Sequence, residues 1–151
     1  MTPRLTLGIA AFLAWLPFGA MAQDAPVPLA APFAPISGAD ADLDALKWQA
    51  RPIVVFADSA LDPAFKEQMR YLETSWPELA TRDVVVITDT SPDPASDIRT
   101  KLRPRGFSLV IIAKDGTVNL RKPAPWDARE ILRSIDKMPI RREEMREMRG
   151  F

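Results

Sequence analysis

Three apolar runs, Ile53–Ala57, Val84–Ile87 and Phe107–Ala113, constrain this chain more than any other feature. Each is short and rich in β-branched residues, and each suits a strand covered on both faces. Between the first two, Asp62-Pro63 supplies an N-cap followed by proline at the first helical position. Phe65, Met69, Leu72 and Trp76 then recur at helical spacing until Pro77, which should close that helix. Asp93-Pro94 should start a second helix carrying Ile98 and Leu102. Asp115-Gly116 is a hairpin-turn signal, leading into the alternating strand Thr117–Arg121. Asp127 and Glu130 cap a last helix bearing Ile131, Leu132, Ile135 and Met138, which Pro139 should end. A short helix is also expected within Asp40–Gln49, stopped by Arg51-Pro52.

The element order β-α-β-α-β-β-α begins with a βαβ crossover and ends with an antiparallel pair. It predicts an α/β fold of the thioredoxin-like layout: a four-stranded mixed sheet, order 2-1-3-4, with helices on both faces.

The start of the chain reads as a targeting segment. Arg4 gives a cationic start, Leu5–Phe18 is mostly apolar, and Ala20-Met21-Ala22 is a small-x-small cleavage pattern before Gln23. The apolar run is short for a membrane span, which needs about 20 residues. The expected organisation is a signal peptide at 1–22, a Pro/Ala-rich disordered leader at 23–38, and one domain at 39–151 with a basic tail at 139–151. The mature chain is then periplasmic or secreted, with no integral membrane span.

Composition removes whole classes of chemistry. The 151 residues include no cysteine and no histidine. Thiol–disulfide exchange, thiol peroxidase chemistry and thiolate-bound clusters are excluded. So are Ser-His-Asp and Cys-His sites and histidine-held zinc or haem. The apparent motifs fail on inspection. Asp40, Asp42 and Asp44 imitate the start of a calcium loop, but Ala45 and Arg51 stand where glycine and glutamate are required. Ser134-Ile-Asp-Lys137 matches S-x-x-K without its companion motifs. The glycines after Gln23 are scattered, so no phosphate loop forms. No cofactor is expected.

The stretches WQARPIVVFADSALDP, LATRDVVVI, FSLVIIAKDGTVNLRK and IDKMPIRREEMR, within Leu46–Arg146, resemble an exported bacterial family catalogued only as a domain of unknown function. That family looks related to the C-terminal domains of sushi-repeat and equarin-type extracellular proteins. The specific part is the Lys-Asp-Gly hairpin combined with Met138-Pro139, Arg141-Arg142 and Glu144-Met145-Arg146. The resemblance implies a thioredoxin- or peroxiredoxin-like fold without established activity, and supplies no catalytic residues.

Redox members of such folds carry their nucleophile just after the first strand, where this chain has Asp58-Ser-Ala-Leu-Asp62. Ser59 lacks an adjacent base, so Asp58, Ser59 and Asp62 read first as helix caps. Together with Arg121 they also outline a crevice for a small ligand, or for a carboxylate/arginine enzyme.

Charge is polarised along the chain. Gln23–Asp97 holds 5 basic and 13 acidic residues, whereas Ile98–Phe151 holds 14 basic and 7 acidic. Either the halves neutralise each other across the fold, or a basic face meets an acidic partner. Nucleic acid is not expected as that partner. In the tail, Arg141, Arg142, Glu144 and Arg146 are the candidate binding residues, and Met145 and Met148 either dock on the domain or await a partner. The leading expectation is a non-catalytic module binding an acidic envelope protein; the sequence leaves the oligomeric state open.

Overall fold

The computed structural model describes residues 31–150, so the expected cleavage site at Ala20, Ala22 and Gln23 and the first part of the leader lie outside the described residues. The apolar runs become β2 (Arg51–Phe56), β3 (Val84–Asp89) and β4 (Ser108–Ile112), after a short β1 (Ile36–Ser37). Every residue of β2 and β4 is buried, as strands covered on both faces require. Asp115 and Gly116 turn the chain into β5 (Val118–Lys122), with Gly116 at φ +87°. β3 lies parallel to β2 and β4 antiparallel, so Val54 faces Ile87 on one side and Val110 on the other.

The four expected strands stand in their expected order, but the count of four is corrected to five. β1 adds parallel to β3, pairing Ile36 with Ile87 and Ser37 with Thr88, and the sheet order is β1-β3-β2-β4-β5. The cause lies at Gly38. Its N–H donates to Thr88 O at 2.8 Å, and a Cβ there would stand 2.9 Å from both Asp89 Cβ and Ile98 Cδ1. Only glycine lets the backbone come so close, so residues 36–38, assigned to the leader by composition, form the sheet edge.

Helices cover both faces. α1 (Pro63–Thr74) begins at Asp62, whose carboxylate accepts the Ala64 N–H at 2.8 Å. With α4 (Ala128–Asp136) it packs Leu72, Ile131 and Ile135 against Ile53, Val55, Leu109 and Ile111. On the other face, α3 (Asp97–Leu102) sets Ile98 and Leu102 against Val54, Phe56, Ile87 and Val110.

Three proline signals are displaced. α1 ends at Thr74, and Pro77 lies in the first turn of α2 (Trp76–Ala80), where a missing N–H is harmless. α3 is capped by Ser96 rather than by Asp93. Pro139 begins α5 (Pro139–Arg149) instead of closing α4. The helix expected within Asp40–Gln49 is a series of turns. There Asp42 Oδ1 takes the N–H groups of Asp44 and Ala45 as a helix cap would, but Trp48 adopts φ +64° and gives its N–H to Lys114 O at 2.6 Å, so no helix propagates. The parallel β2-α1-β3 unit, the antiparallel β4-β5 hairpin and the helices on both faces make a thioredoxin-like α/β fold. No helix among the described residues is long and apolar enough to cross a membrane.

Candidate functional site

At its C-terminal end β2 delivers Asp58 and Ser59 to the surface, ahead of α1. Ser59 Oγ accepts the Leu61 N–H at 3.1 Å and Asp62 caps α1, so both serve the loop as local braces. Beneath them lies a buried pair that the sequence reading does not single out. Arg99 Nη2 donates to Ala57 O and Asp89 O, both at 2.9 Å, and to Asp89 Oδ1 at 3.0 Å, while its guanidinium carbon sits 5.3 Å from the Phe56 ring centroid. Asp58 Oδ1 lies 3.8 Å from Arg99 Nη1. Burial pushes the Asp89 carboxyl up, but hydrogen bonds from Arg99, Ser96 and Ser91 outweigh it and hold the pKa below the ordinary value. Ser96 Oγ donates to Asp89 Oδ2 at 2.5 Å. A carboxylate so engaged is a poor base, and the Ser96–Asp89 contact is a brace rather than a nucleophile pair. Arg121 does not join this group: its Nη1 donates to Leu102 O at 2.7 Å, closing the C-terminal end of α3. Asp58, Ser59 and Arg121 therefore attend to different neighbours.

The opposite end of the sheet holds a larger ionic cluster, and here the tail docks. Arg51, first residue of β2, is wholly buried, and its Nη1 donates to Arg82 O at 2.8 Å. Its Nη2 lies 2.9 Å from Glu144 Oε2 of α5. Lys114 Nζ stands 2.8 Å from both Asp83 and Glu144, and Arg141 Nη1 3.3 Å from Glu144. Arg82 grips Asp136 with two hydrogen bonds, at 2.9 and 2.8 Å. Burial pushes Glu144 up, yet hydrogen bonds from Lys114 and Arg51 and the neighbouring positive charges prevail, and its pKa falls to about 2. Of the two readings of the tail, docking is the one seen in the structure, but its means are charged. Arg141 is buried and Glu144 half-buried, whereas Met145 is half-buried and Met148 exposed. The sequence signal for this cluster is slight: one charged residue immediately before an apolar run, and one immediately after another.

Fixing α5 in this way turns Arg142, Arg146 and Arg149 outward, one helical turn apart and exposed, with exposed Met148 on the same helix. Among the described residues no group of three or more acidic side chains is placed to hold a metal ion, Asp40, Asp42 and Asp44 included.

Residues 42–144 match the model of a family described as Domain of unknown function (DUF4174). Among solved structures, the chain is similar to chloroplastic thioredoxin z, with 26% identity over 60% of this chain and 79% of that one, at a TM-score of 0.48. It is also similar to Plasmodium yoelii thioredoxin peroxidase I, with 16% identity over 67% of this chain and 79% of that one, at a TM-score of 0.49. The mitochondrial 2-Cys peroxiredoxin of Plasmodium falciparum is 18% identical over 64% of this chain and 79% of that one, at a TM-score of 0.46.

Proposed function

The chain belongs to the DUF4174 family, whose description names no activity, and from that premise we propose that it is a non-catalytic binding module of the cell envelope. In this reading residues 1–22 direct export, and the mature domain is periplasmic or secreted. Its partner is a protein with an acidic surface, and its docking face is the outer side of α5. The observation that carries the reading is the orientation of that helix. Glu144 ties it to Arg51 of β2 and Arg141 faces Asp136 of α4, and Arg142, Arg146 and Arg149 are left facing solvent on the other side. A cationic stripe on a helix already docked on the domain suits recognition of acidic protein surfaces, because its backbone needs no further ordering on binding. The loop after β2 supports the non-catalytic part: the chain has no thiol, and Ser59 has no adjacent base. The crevice reading is weaker, because Arg121 is engaged with α3.

The test is crosslinking in intact cells followed by co-purification, comparing wild type with Arg142→Glu/Arg146→Glu. Arg141 is a poor choice for this purpose, since its loss would loosen α5 itself. A partner captured by wild type and lost from the double variant is the expected result. The same partners recovered from both would remove α5 as the docking face.

A further inference from the structure

The two edges of the sheet differ in what they offer. β1 has two residues, whereas β5 has five, and β5 pairs with β4 alone. Among the described residues, no backbone group of Val118–Lys122 bonds to an element other than β4. The free side of β5 is therefore a row of donors and acceptors that another extended strand could pair.

Three features beside this edge give it the form of a binding groove. First, Ile111 faces Leu120 and Ile112 faces Val118, so Asn119 bulges out without a partner on β4. A bulge re-aims a side chain, and here the Asn119 amide donates to Ser134 Oγ of α4 at 3.3 Å. Second, a cavity of about 340 Å³ lies between β5 and α4, with Asn119, Ser134 and Trp126 in its lining. The Trp126 side is fixed in place: the wholly buried Gln68 donates to Trp126 O at 3.1 Å and accepts from Trp126 N at 2.8 Å. Third, the charged groups around the cavity are mainly cationic. Glu130 is paired with Arg133 at 2.6 Å, and Asp127 turns its carboxylate to the Arg129 N–H. Lys122, 4.6 Å from the Trp126 ring centroid, and Lys137, in the cavity lining, are left without an ion-pair partner among the described residues. They stand at opposite ends of α4, whose nine residues span roughly 13 Å.

We propose that β5 and this groove bind an extended acidic segment of another protein, added to the sheet as a further strand. Its backbone pairs with the free side of β5, and every second side chain points towards α4. The first and fifth residues of a strand lie roughly 13 Å apart, which matches the spacing of the two lysines. Carboxylates at those positions reach Lys122 and Lys137, and a small apolar side chain between them enters the cavity. A second copy of β5 is the poorer occupant, because it would bring Arg121 and Lys122 of both copies onto one short ribbon, and charges and a bulge are what guard an edge against such pairing. Arg142, Arg146 and Arg149 take no part in this groove, so the proposal stands apart from the α5 docking face.

The experiment is an amide NMR titration of the full chain with the capped pentapeptide ETVTE, and with KTVTK for comparison, at constant ionic strength. Saturable shifts on residues 118–122 and slowed exchange of their amides are expected from ETVTE, with KTVTK at least roughly tenfold weaker. Strand pairing uses alternate peptide amides, so N-methylating one alternate set in ETVTE should abolish binding and N-methylating the other should leave it. Ser134→Phe, which fills the cavity, should weaken binding at least roughly tenfold; should that variant fail to fold, the methylated peptides still decide. No saturable shift, equal binding of the two methylated peptides, or no preference over KTVTK would each overturn the proposal. So would β5 amides already protected in a dimer of the free chain, which would make a second copy the occupant.

Discussion

Arg51, at the start of the central strand, and Glu144, in the middle of the last helix, lie 2.9 Å apart, and this contact holds α5 against the sheet. Arg51 has no route to solvent, so neutralising Glu144 leaves a buried guanidinium short of its main counter-charge. Glu144→Gln should therefore lower stability by roughly 3 kcal/mol, the scale for removing one partner of a buried pair. Arg146→Gln, whose side chain is exposed and 3.9 Å from Glu143, should change it by less than about 0.5 kcal/mol. Urea unfolding midpoints of the two variants check this, and equal midpoints would contradict it.

The same carboxylate sets an acid limit. Folding lowers the pKa of Glu144 from the ordinary 4.5 to about 2. A depressed folded value means that the stabilisation is complete above pH 4.5 and is lost as pH falls from 4.5 towards 2. Asp89 and Asp136, also held below their ordinary value of 3.8, act in the same sense. Stability should be flat with respect to these groups from pH 5 to 7 and fall steeply below about pH 4. Glu144→Gln should flatten that acid slope, measured by urea midpoints at successive pH values; an unchanged slope would assign the acid limit elsewhere.

Much of this fold was legible because its central strands are buried on both faces, where a continuous β-branched run is an unambiguous signal. The Asp62 cap and the Asp115-Gly116 turn were equally legible, since each residue type matches one local geometry. β1 was not. Two residues in a Pro/Ala stretch carry no periodicity, and the determinant is a close approach of Gly38 to side chains distant in sequence. The proline signal is ambiguous at Pro77 and Pro139, because the same residue that cannot continue a helix is favoured at its first turn. At the site, charge along the tail was visible, but not which charges turn inward. Arg141 and Arg142 are adjacent in sequence and meet opposite fates, and what separates them is the placing of Asp136 and Glu144 beside Arg141.

Arg99 makes a second buried brace, with hydrogen bonds to two backbone carbonyls and one carboxylate from a single planar group. Lysine keeps the charge but cannot reproduce that fan of donors or lie over Phe56 in the same way. Arg99→Lys should cost roughly 2 kcal/mol or more, with Arg99→Met costing at least as much because Asp89 is then left without its cation. Thermal unfolding checks this; full rescue by lysine would mean that charge alone matters here.

Ser59 occupies the loop between β2 and α1, but α1 begins only at Pro63 and its cap is the carboxylate of Asp62. A thiol placed at Ser59 therefore lies off the helix start and among acidic neighbours, Asp58 and Asp62. Ser59→Cys should titrate at or above the ordinary thiol value of about 8.5, not in the lowered range of redox-active cysteines. The rate of thiol alkylation against pH gives the value directly. A midpoint below about 7 would show that the loop activates a nucleophile after all.

The sheet edge offers the sharpest check on the architecture. Gly38 is buried, its N–H is bonded to Thr88 O, and a methyl group on its Cα would press on Asp89 and Ile98. Neither neighbour can yield easily, since Asp89 is held by Arg99 and Ser96, and Ile98 belongs to the core beneath α3. Gly38→Ala should therefore destabilise the domain by about 1–3 kcal/mol, the usual scale of overpacking, although alanine is ordinarily the better residue in an ordered segment. Ala39→Ser, one residue on and exposed, should be close to neutral. Hydrogen exchange supplies the independent measure: the Gly38 amide should be protected in wild type and lose most of that protection in Gly38→Ala. An unprotected Gly38 amide in wild type would return residues 36–38 to the leader and reduce the sheet to the four strands that the apolar runs and the hairpin predict.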